Sequence, residues 1–103
     1  MKAARPFSDR FVARARVAKD AAHVSVSKGT VVYLGYDVSG GGWYQWRLEL
    51  QHAYPFASQV ECRQAAMSCR GPHYYAPDQS TIEILAAEYT APADAHIRLK
   101  GMP

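Results

Sequence analysis

Two cysteines and four histidines are the side chains of this 103-residue chain best suited to catalysis or metal binding. Cys62 and Cys69 lie seven positions apart in a segment with helical character, which separates them by about 10 Å, beyond the reach of a disulfide. The histidines are scattered, and none is four positions from another. The sequence also lacks the CxxC, HExxH, GxSxG and phosphate-loop patterns. These residues therefore predict free thiols buried in a helix, with no metal site, no cofactor and no enzymatic activity.

A second group of side chains is cationic. Along residues 10–17 the side chains alternate as they do on a strand, and Arg10, Arg14 and Arg16 fall on one face. Such a face could follow the phosphates of a nucleic acid, or it could protect an edge strand against aggregation. A helix capped just before Arg10 is the alternative structure for this segment.

The positive charge is concentrated at one end of the chain. The net charge is +3, but residues 1–30 carry seven lysines and arginines against two aspartates, a net charge of +5. Residues 31–103 carry a net charge of −2. This asymmetry predicts an acidic partner for the N-terminal third, either a protein with an acidic patch or a nucleic acid.

Both tryptophans lie in residues 40–50, which begin with three glycines and then alternate like a strand. The alternation places Trp46 on an apolar face and Trp43 on the polar face, beside Arg47. A large aromatic ring next to an arginine is typical of a protein interface. Tyr74 and Tyr75, in a predicted loop between Pro72 and Pro77, are also aromatic residues of the kind found at protein interfaces. The predicted contact residues are Arg14, Arg16, Trp43, Arg47, Tyr74 and Tyr75.

The clearest element is a helix over residues 58–70. Ser58 and Glu61 form the Ser-x-x-Glu pattern of a capping box, and Gly71 followed by Pro72 ends the helix. The packed face is predicted to include Val60, Ala66, Met67 and the two cysteines.

Strands account for most of the remaining pattern. They are predicted at residues 10–17, 23–27, 30–34, 43–50, 81–85 and 95–99, with residues 30–51 forming a hairpin. Residues 86–89 either extend the fifth strand or form a short helical turn. The predicted core comprises Phe11, Val31, Tyr33, Trp46, Leu48, Val60, Met67, Ile82 and Ile84.

Length and composition predict one compact domain over residues 9–103, preceded by a tail over residues 1–8. Apolar residues make up 49% of the chain and charged residues 20%, as in ordinary globular proteins. No apolar run approaches the roughly 20 residues that span a bilayer, and none follows the basic N-terminus. We therefore expect no membrane contact, no signal peptide and a cytoplasmic location. The last strand, 95–99, is expected at a sheet edge, where it could pair with a second copy of the chain.

Four short segments resemble the strand markers of an SH3-like barrel. They are Phe-Val-Ala at 11–13, a segment ending in Lys-Gly at 23–29, Gly-Trp-Tyr at 42–44 and Tyr-Ala-Pro at 75–77. Their order matches the family's opening strand, diverging turn, aromatic strand and Tyr-x-Pro turn. The resemblance implies a small barrel in which Trp43 and Pro77 face the ligand. The chain departs from the family at residues 15–17, which replace the tyrosines and acid of the proline-peptide groove, and in its helix within residues 52–72.

The predicted fold is α+β: a small antiparallel sheet, or a partly closed SH3-like barrel, of five to six strands with one packed helix. A sheet with one helix in β-β-α-β order is also typical of many small bacterial and phage proteins, among them inhibitors of bacterial defence systems. We expect a non-catalytic binding protein, an inhibitor or adaptor of phage, plasmid or bacterial origin whose partner is another protein. The alternative is a small nucleic-acid-binding β-barrel that uses the arginine strand.

Overall fold

The computed structural model describes residues 8–20, 25–37, 42–69, 77–90 and 96–100. Five strands and one helix lie in these ranges: β1 (Ser8–Val17), β2 (Val31–Asp37), β3 (Trp43–Arg47), α1 (Gln59–Ser68), β4 (Pro77–Thr90) and β5 (His96–Leu99). The strands form one antiparallel sheet in the order β3-β2-β1-β4-β5, and its two outer strands do not pair with each other. The predicted α+β class is confirmed, with an open sheet of five strands.

The predicted arginine strand, which carries Arg10, Arg14 and Arg16, is β1, and it lies at the centre of this sheet. β1 pairs with β2 from Arg14 to Arg16 and with β4 along most of its length. Both of its faces are covered, because Val12 on one side and Ala13 on the other have no exposed surface. The predicted strand is therefore confirmed, and the interpretation of its arginines as protection for an edge strand is wrong.

A short extended segment fills a gap between β1 and β2. The Tyr54 N–H donates to the Leu34 carbonyl on β2 at 2.8 Å, whereas Phe56 exchanges hydrogen bonds of 2.8 and 2.9 Å with Phe11 on β1. His52, two residues before this segment, lies against Gly35 of β2. Any Cβ atom added at Gly35 would collide with the His52 carbonyl oxygen. A residue larger than glycine therefore has no room at position 35.

Buried side chains form two clusters. The larger contains Ala13, Ala15, Val17, Val26, Val32, Leu34, Trp46, Phe56, Cys62 and Ala66, so it lies under α1. The smaller contains Val12, Ala53, Ala87 and Ile97, with Tyr33, Leu50, Leu85, Tyr89 and Leu99 packed around it. Because Ala53 belongs to one cluster and Phe56 to the other, the segment between them carries the chain from one face of the sheet to the other.

The outer edge of β5 is occupied by a side chain instead of a strand. The Gln51 carboxamide donates to the Ile97 carbonyl at 2.6 Å and accepts from the Ile97 N–H at 2.9 Å. The Lys100 N–H bonds to Ala86 on β4, so alternate residues such as Ile97 point their peptide groups away from β4. The Gln51 carboxamide thus makes the two hydrogen bonds that a paired residue of an adjacent strand would make with Ile97.

Helix α1 begins after Ser58, as predicted. The Ser58 hydroxyl accepts a hydrogen bond from the Glu61 N–H at 3.3 Å, and Cys69 follows the last helical residue. The packed face contains Cys62 and Ala66, with Ala65 and Cys69 beside them. No helix in the described part of the chain is long and apolar enough to cross a membrane.

Several predicted core positions are wrong. Val60, Met67 and Leu48 are 64%, 45% and 44% exposed, respectively. The two helical residues lie outside the stripe that the cysteines define, and Leu48 lies beyond Arg47, where β3 ends. On β2, Val32 is buried and Val31 is half-buried.

Other element boundaries also differ from the predictions. β4 is much longer than residues 81–85 and includes residues 86–89 as strand. The predicted strand 23–27 fails in its described part, because Ser25 has a left-handed φ of 55°.

Candidate functional site

An open groove of about 800 Å³ lies between α1, residues 54–57 and three strands of the sheet. Its lining residues are Arg10, Tyr44, Tyr54, Pro55, Phe56, Ala57, Glu61, Gln64, Ala65, Ser68 and Tyr89. The groove combines aromatic rings with one cation, one anion and neutral polar side chains. A concave surface that pairs apolar area with a few polar groups is the usual form of a ligand site.

Three of the lining aromatic residues belong to a packed cluster. Tyr54 and Phe56 have ring centroids 4.7 Å apart, and Tyr44 lies 5.4 Å from Phe56. Tyr36 completes the cluster, with its ring 5.1 Å from that of Tyr44 in an edge-to-face arrangement. Tyr36 and Tyr54 are each 41% exposed. The cluster therefore holds rigid rings that still offer surface to a ligand.

The polar groups of the groove can form new hydrogen bonds. Burial raises the pKa of Tyr44, and the nearby Tyr54, Tyr36 and Glu61 raise it further, so its hydroxyl keeps its proton at neutral pH. No residue in the described ranges forms a hydrogen bond with the hydroxyl of Tyr44 or Tyr54. Among the described residues the Arg10 guanidinium donates to the Asp9 carbonyl at 2.8 Å, and it has further N–H groups to donate.

Two of the predicted contact arginines lie in one row on the face opposite α1. Tyr33 is the cross-strand partner of both Arg14 and Arg47, so the three side chains share a face. Glu83 continues the row on β4, and its carboxylate lies 3.2 Å from the Arg14 guanidinium. Arg14 is therefore compensated by an ion pair, whereas Arg47 has no acidic partner among the described residues.

Arg16 lies where the pairing of β1 with β4 shifts register, from Arg14–Glu83 to Arg16–Asp78. Its guanidinium donates to the Gly29 carbonyl at 3.0 Å, and Asp78 is its cross-strand partner. Hydrogen bonds from the Ser80 hydroxyl and N–H lower the pKa of Asp78. Asp78 is therefore ionised at neutral pH, and it places a negative charge opposite this arginine.

The structure separates Trp43 from the arginine row. Trp43 is 37% exposed on β3 and pairs with Asp37. Gly35 lies between Asp37 and Tyr33 on β2, and the His52 carbonyl oxygen lies against it. The backbone at His52 therefore lies on this face of the sheet, between Trp43 and the row of Arg14 and Arg47. Tyr74 and Tyr75, the remaining predicted contact residues, lie outside the described residues.

Cys62 lies on the packed face of α1, and Cys69 follows the last residue of this helix. Cys62 is fully buried, and burial raises the pKa of its thiol from 9.0 to about 12. This shift is opposite to the lowered pKa of a nucleophilic thiolate. Cys69 donates through Sγ to the Tyr44 carbonyl at 3.2 Å. Within the described ranges, no three His, Cys, Asp or Glu side chains lie close enough together to hold a metal ion.

Comparison with known proteins found no match, neither with a family model nor with a curated protein nor with a solved structure.

Sequence reasoning did not find the groove. Its residues come from β1, β3, β4, α1 and the segment before the helix, so no local motif contains them. One usable signal was Tyr54-Pro55-Phe56, which places two aromatic rings on either side of a proline just before the helix start at Ser58.

Proposed function

We propose that this chain is a non-catalytic binding protein that takes an extended segment of another protein in the groove beside α1. The observation that carries the proposal is the tyrosine-lined groove itself, with hydroxyls that have no hydrogen-bond partner among the described residues. Aromatic rings contribute contact area at a low cost in conformational entropy, and hydroxyl and amide groups satisfy a bound backbone. An inhibitor or adaptor would work through such a surface.

Charge supports a segment that carries a carboxylate. Arg10 is the only cation that lines the groove within the described residues, and Glu61 is the only anion. The chain as a whole is basic, with a net charge of +3. A carboxylate on the partner would accept charge-assisted hydrogen bonds from the guanidinium of Arg10.

Selection from a displayed library of random peptides tests this proposal. Peptides that bind the full chain should be enriched in aromatic or proline residues and should carry an Asp or Glu. We expect Arg10→Ala and Gln64→Ala to weaken a selected peptide by about tenfold each, the loss of one or two hydrogen bonds. Binding would be measured by titration calorimetry.

Two variants of the same residue types serve as matched controls. Arg63 and Gln59 are exposed on α1 and do not line the groove. Arg63→Ala and Gln59→Ala should therefore leave the affinity unchanged. Absence of any enriched peptide, or equal losses in groove and control variants, would contradict the proposal.

Nucleic-acid binding through the arginine strand is the second candidate. Its support is the row that brings Arg14, Arg47 and the ring of Tyr33 onto one face. Retention on single-stranded DNA should then fall steeply with salt, and Arg47→Ala should weaken it while Arg63→Ala does not. If the protein is not retained at low salt, this candidate is excluded.

The proposal of an SH3-like relationship rests on the short sequence motifs and on a small antiparallel sheet with one helix.

A further inference from the structure

The two edges of the sheet differ. The edge of β5 is occupied at Ile97 by the Gln51 carboxamide. On the opposite edge, no strand in the described ranges pairs with the outer side of β3 (Trp43–Arg47). An open strand edge is a template for pairing with another strand. The outer edge of β3 therefore offers its backbone groups to a partner strand.

The peptide groups that β3 presents outward can be identified from the register. The Leu34 carbonyl points away from β3, because it accepts from Tyr54 in the gap beside β1. Its neighbours on β2 therefore point towards β3, where Gly35 is paired with Gln45. Tyr44 and Trp46 consequently direct their N–H and C=O groups to the open edge. The Cys69 thiol donates to this Tyr44 carbonyl at 3.2 Å.

The sequence of β3, Trp-Tyr-Gln-Trp-Arg, is complementary to itself when it is read in the antiparallel direction. With Gln45 opposite its own copy, Tyr44 of one chain lies opposite Trp46 of the other. Trp43 then lies opposite Arg47 on the face away from α1. The Trp43–Arg47 pair is a favourable cation–π contact between partly exposed side chains, whereas Trp46 is 6% exposed and meets the partner through its backbone.

We infer that β3 is a homodimer interface, in which two copies of the chain pair their edge strands antiparallel about a two-fold axis at Gln45. The outward groups of Tyr44 and Trp46 have the correct alternation for four backbone hydrogen bonds across the axis. The Tyr44 carbonyl has two lone pairs, so it can accept from the partner strand and from Cys69. The partner is a second copy, because the outward backbone groups of β3 and its Trp43 and Arg47 side chains find their complements within the same five residues.

Position 45 provides a direct test. Because Gln45 faces itself across the axis, Gln45→Glu and Gln45→Lys each place like charges opposite each other, whereas a mixture of the two places opposite charges there. We expect the unmodified chain to dimerise with increasing concentration in sedimentation equilibrium under reducing conditions. Each variant alone should be at least tenfold weaker, and the equimolar mixture should recover the dimer.

Matched substitutions at an exposed glutamine of β4 provide the control. Gln79→Glu and Gln79→Lys should dimerise like the unmodified chain, and circular dichroism should show every variant folded. A chain that is monomeric at all concentrations would overturn the inference. So would a dimer that tolerates both charges at position 45, or charge variants that fail to associate when mixed. The peptide-binding variants Arg10→Ala and Gln64→Ala should not affect this dimer, so the two proposals can fail separately.

Discussion

At the scale of single residues, the thiol of Cys62 links stability to pH. Its pKa rises from 9.0 to about 12 because the folded chain removes it from water. Below pH 9 both the folded and the unfolded chain hold the proton, so this group adds no pH dependence. Above that value only the unfolded chain releases it, and the free energy of unfolding should fall by about 1.4 kcal/mol per pH unit. Urea unfolding between pH 8 and pH 10.5 measures this slope.

Cys62→Ala supplies the control for this prediction. The variant should be less stable at every pH, because it removes volume from the core under α1. Its free energy of unfolding should nevertheless decline less with pH than that of the unmodified chain, because the buried titrating group is gone. Identical slopes for the two proteins would show that Cys62 ionises equally in both states.

At the scale of the helix, sequence reasoning found the element and misplaced part of its packed face. The capping pattern at Ser58 located the start of α1, because an N-cap is a local interaction between residues three positions apart. The predicted face combined Cys62, Ala66 and Cys69, which do pack on the sheet, with Val60 and Met67, which are exposed. The three confirmed residues recur at helical intervals and are small enough for close approach to the sheet, whereas Val60 and Met67 lie outside that stripe.

Neighbouring positions on α1 should therefore respond differently to the same side chain. Ala66→Leu should cost about 1–3 kcal/mol, because it adds volume where the helix contacts the sheet. Met67→Leu should change stability by less than about 0.5 kcal/mol, because Met67 is exposed. Chemical denaturation distinguishes the two. Equal effects at both positions would mean that the helix packs on a different face.

The edge of β5 provides a prediction at the scale of the strand. Gln51→Ala should cost about 1 kcal/mol, because it removes both hydrogen bonds to Ile97. The Ile97 amide should then exchange its hydrogen with solvent much faster. Gln79→Ala, in an exposed part of β4, is the control and should leave this amide protected. An unchanged exchange rate in Gln51→Ala would show that the carboxamide does not protect the strand in solution.

At the scale of the whole molecule, the sequence predicted the class of the fold and most of its strands. Alternation and β-branched residues are local signals, and they identified β1, the β2–β3 hairpin and β5. The central position of β1 could not be predicted, because it depends on pairing with a strand about 70 positions away. Three other features also depend on contacts between distant segments and could not be predicted. They are the insertion of residues 54–56 between β1 and β2, the hydrogen bonds from Gln51 to Ile97, and the groove.

The sheet order predicts how protection against hydrogen exchange is distributed. Amides of Val12, Ala13 and Ala15 should exchange slowest, because β1 is flanked by strands and buried on both faces. In dilute monomeric protein the outward amides of Tyr44 and Trp46 should exchange much faster than those of β1, and in a dimer they should become protected. Exchange followed by nuclear magnetic resonance measures both. Equal protection in β1 and β3 of the monomer would contradict this order.

The pairing of β1 with β4 also has a consequence for synthesis of the chain. β4 begins sixty positions after β1 ends. At typical elongation rates the ribosome needs roughly 3–12 s to make that stretch. Throughout this interval the growing polypeptide exposes one side of its first strand, Val12 included, without the partner that later covers it. The sheet therefore cannot be completed until β4 and, after it, β5 have been synthesised.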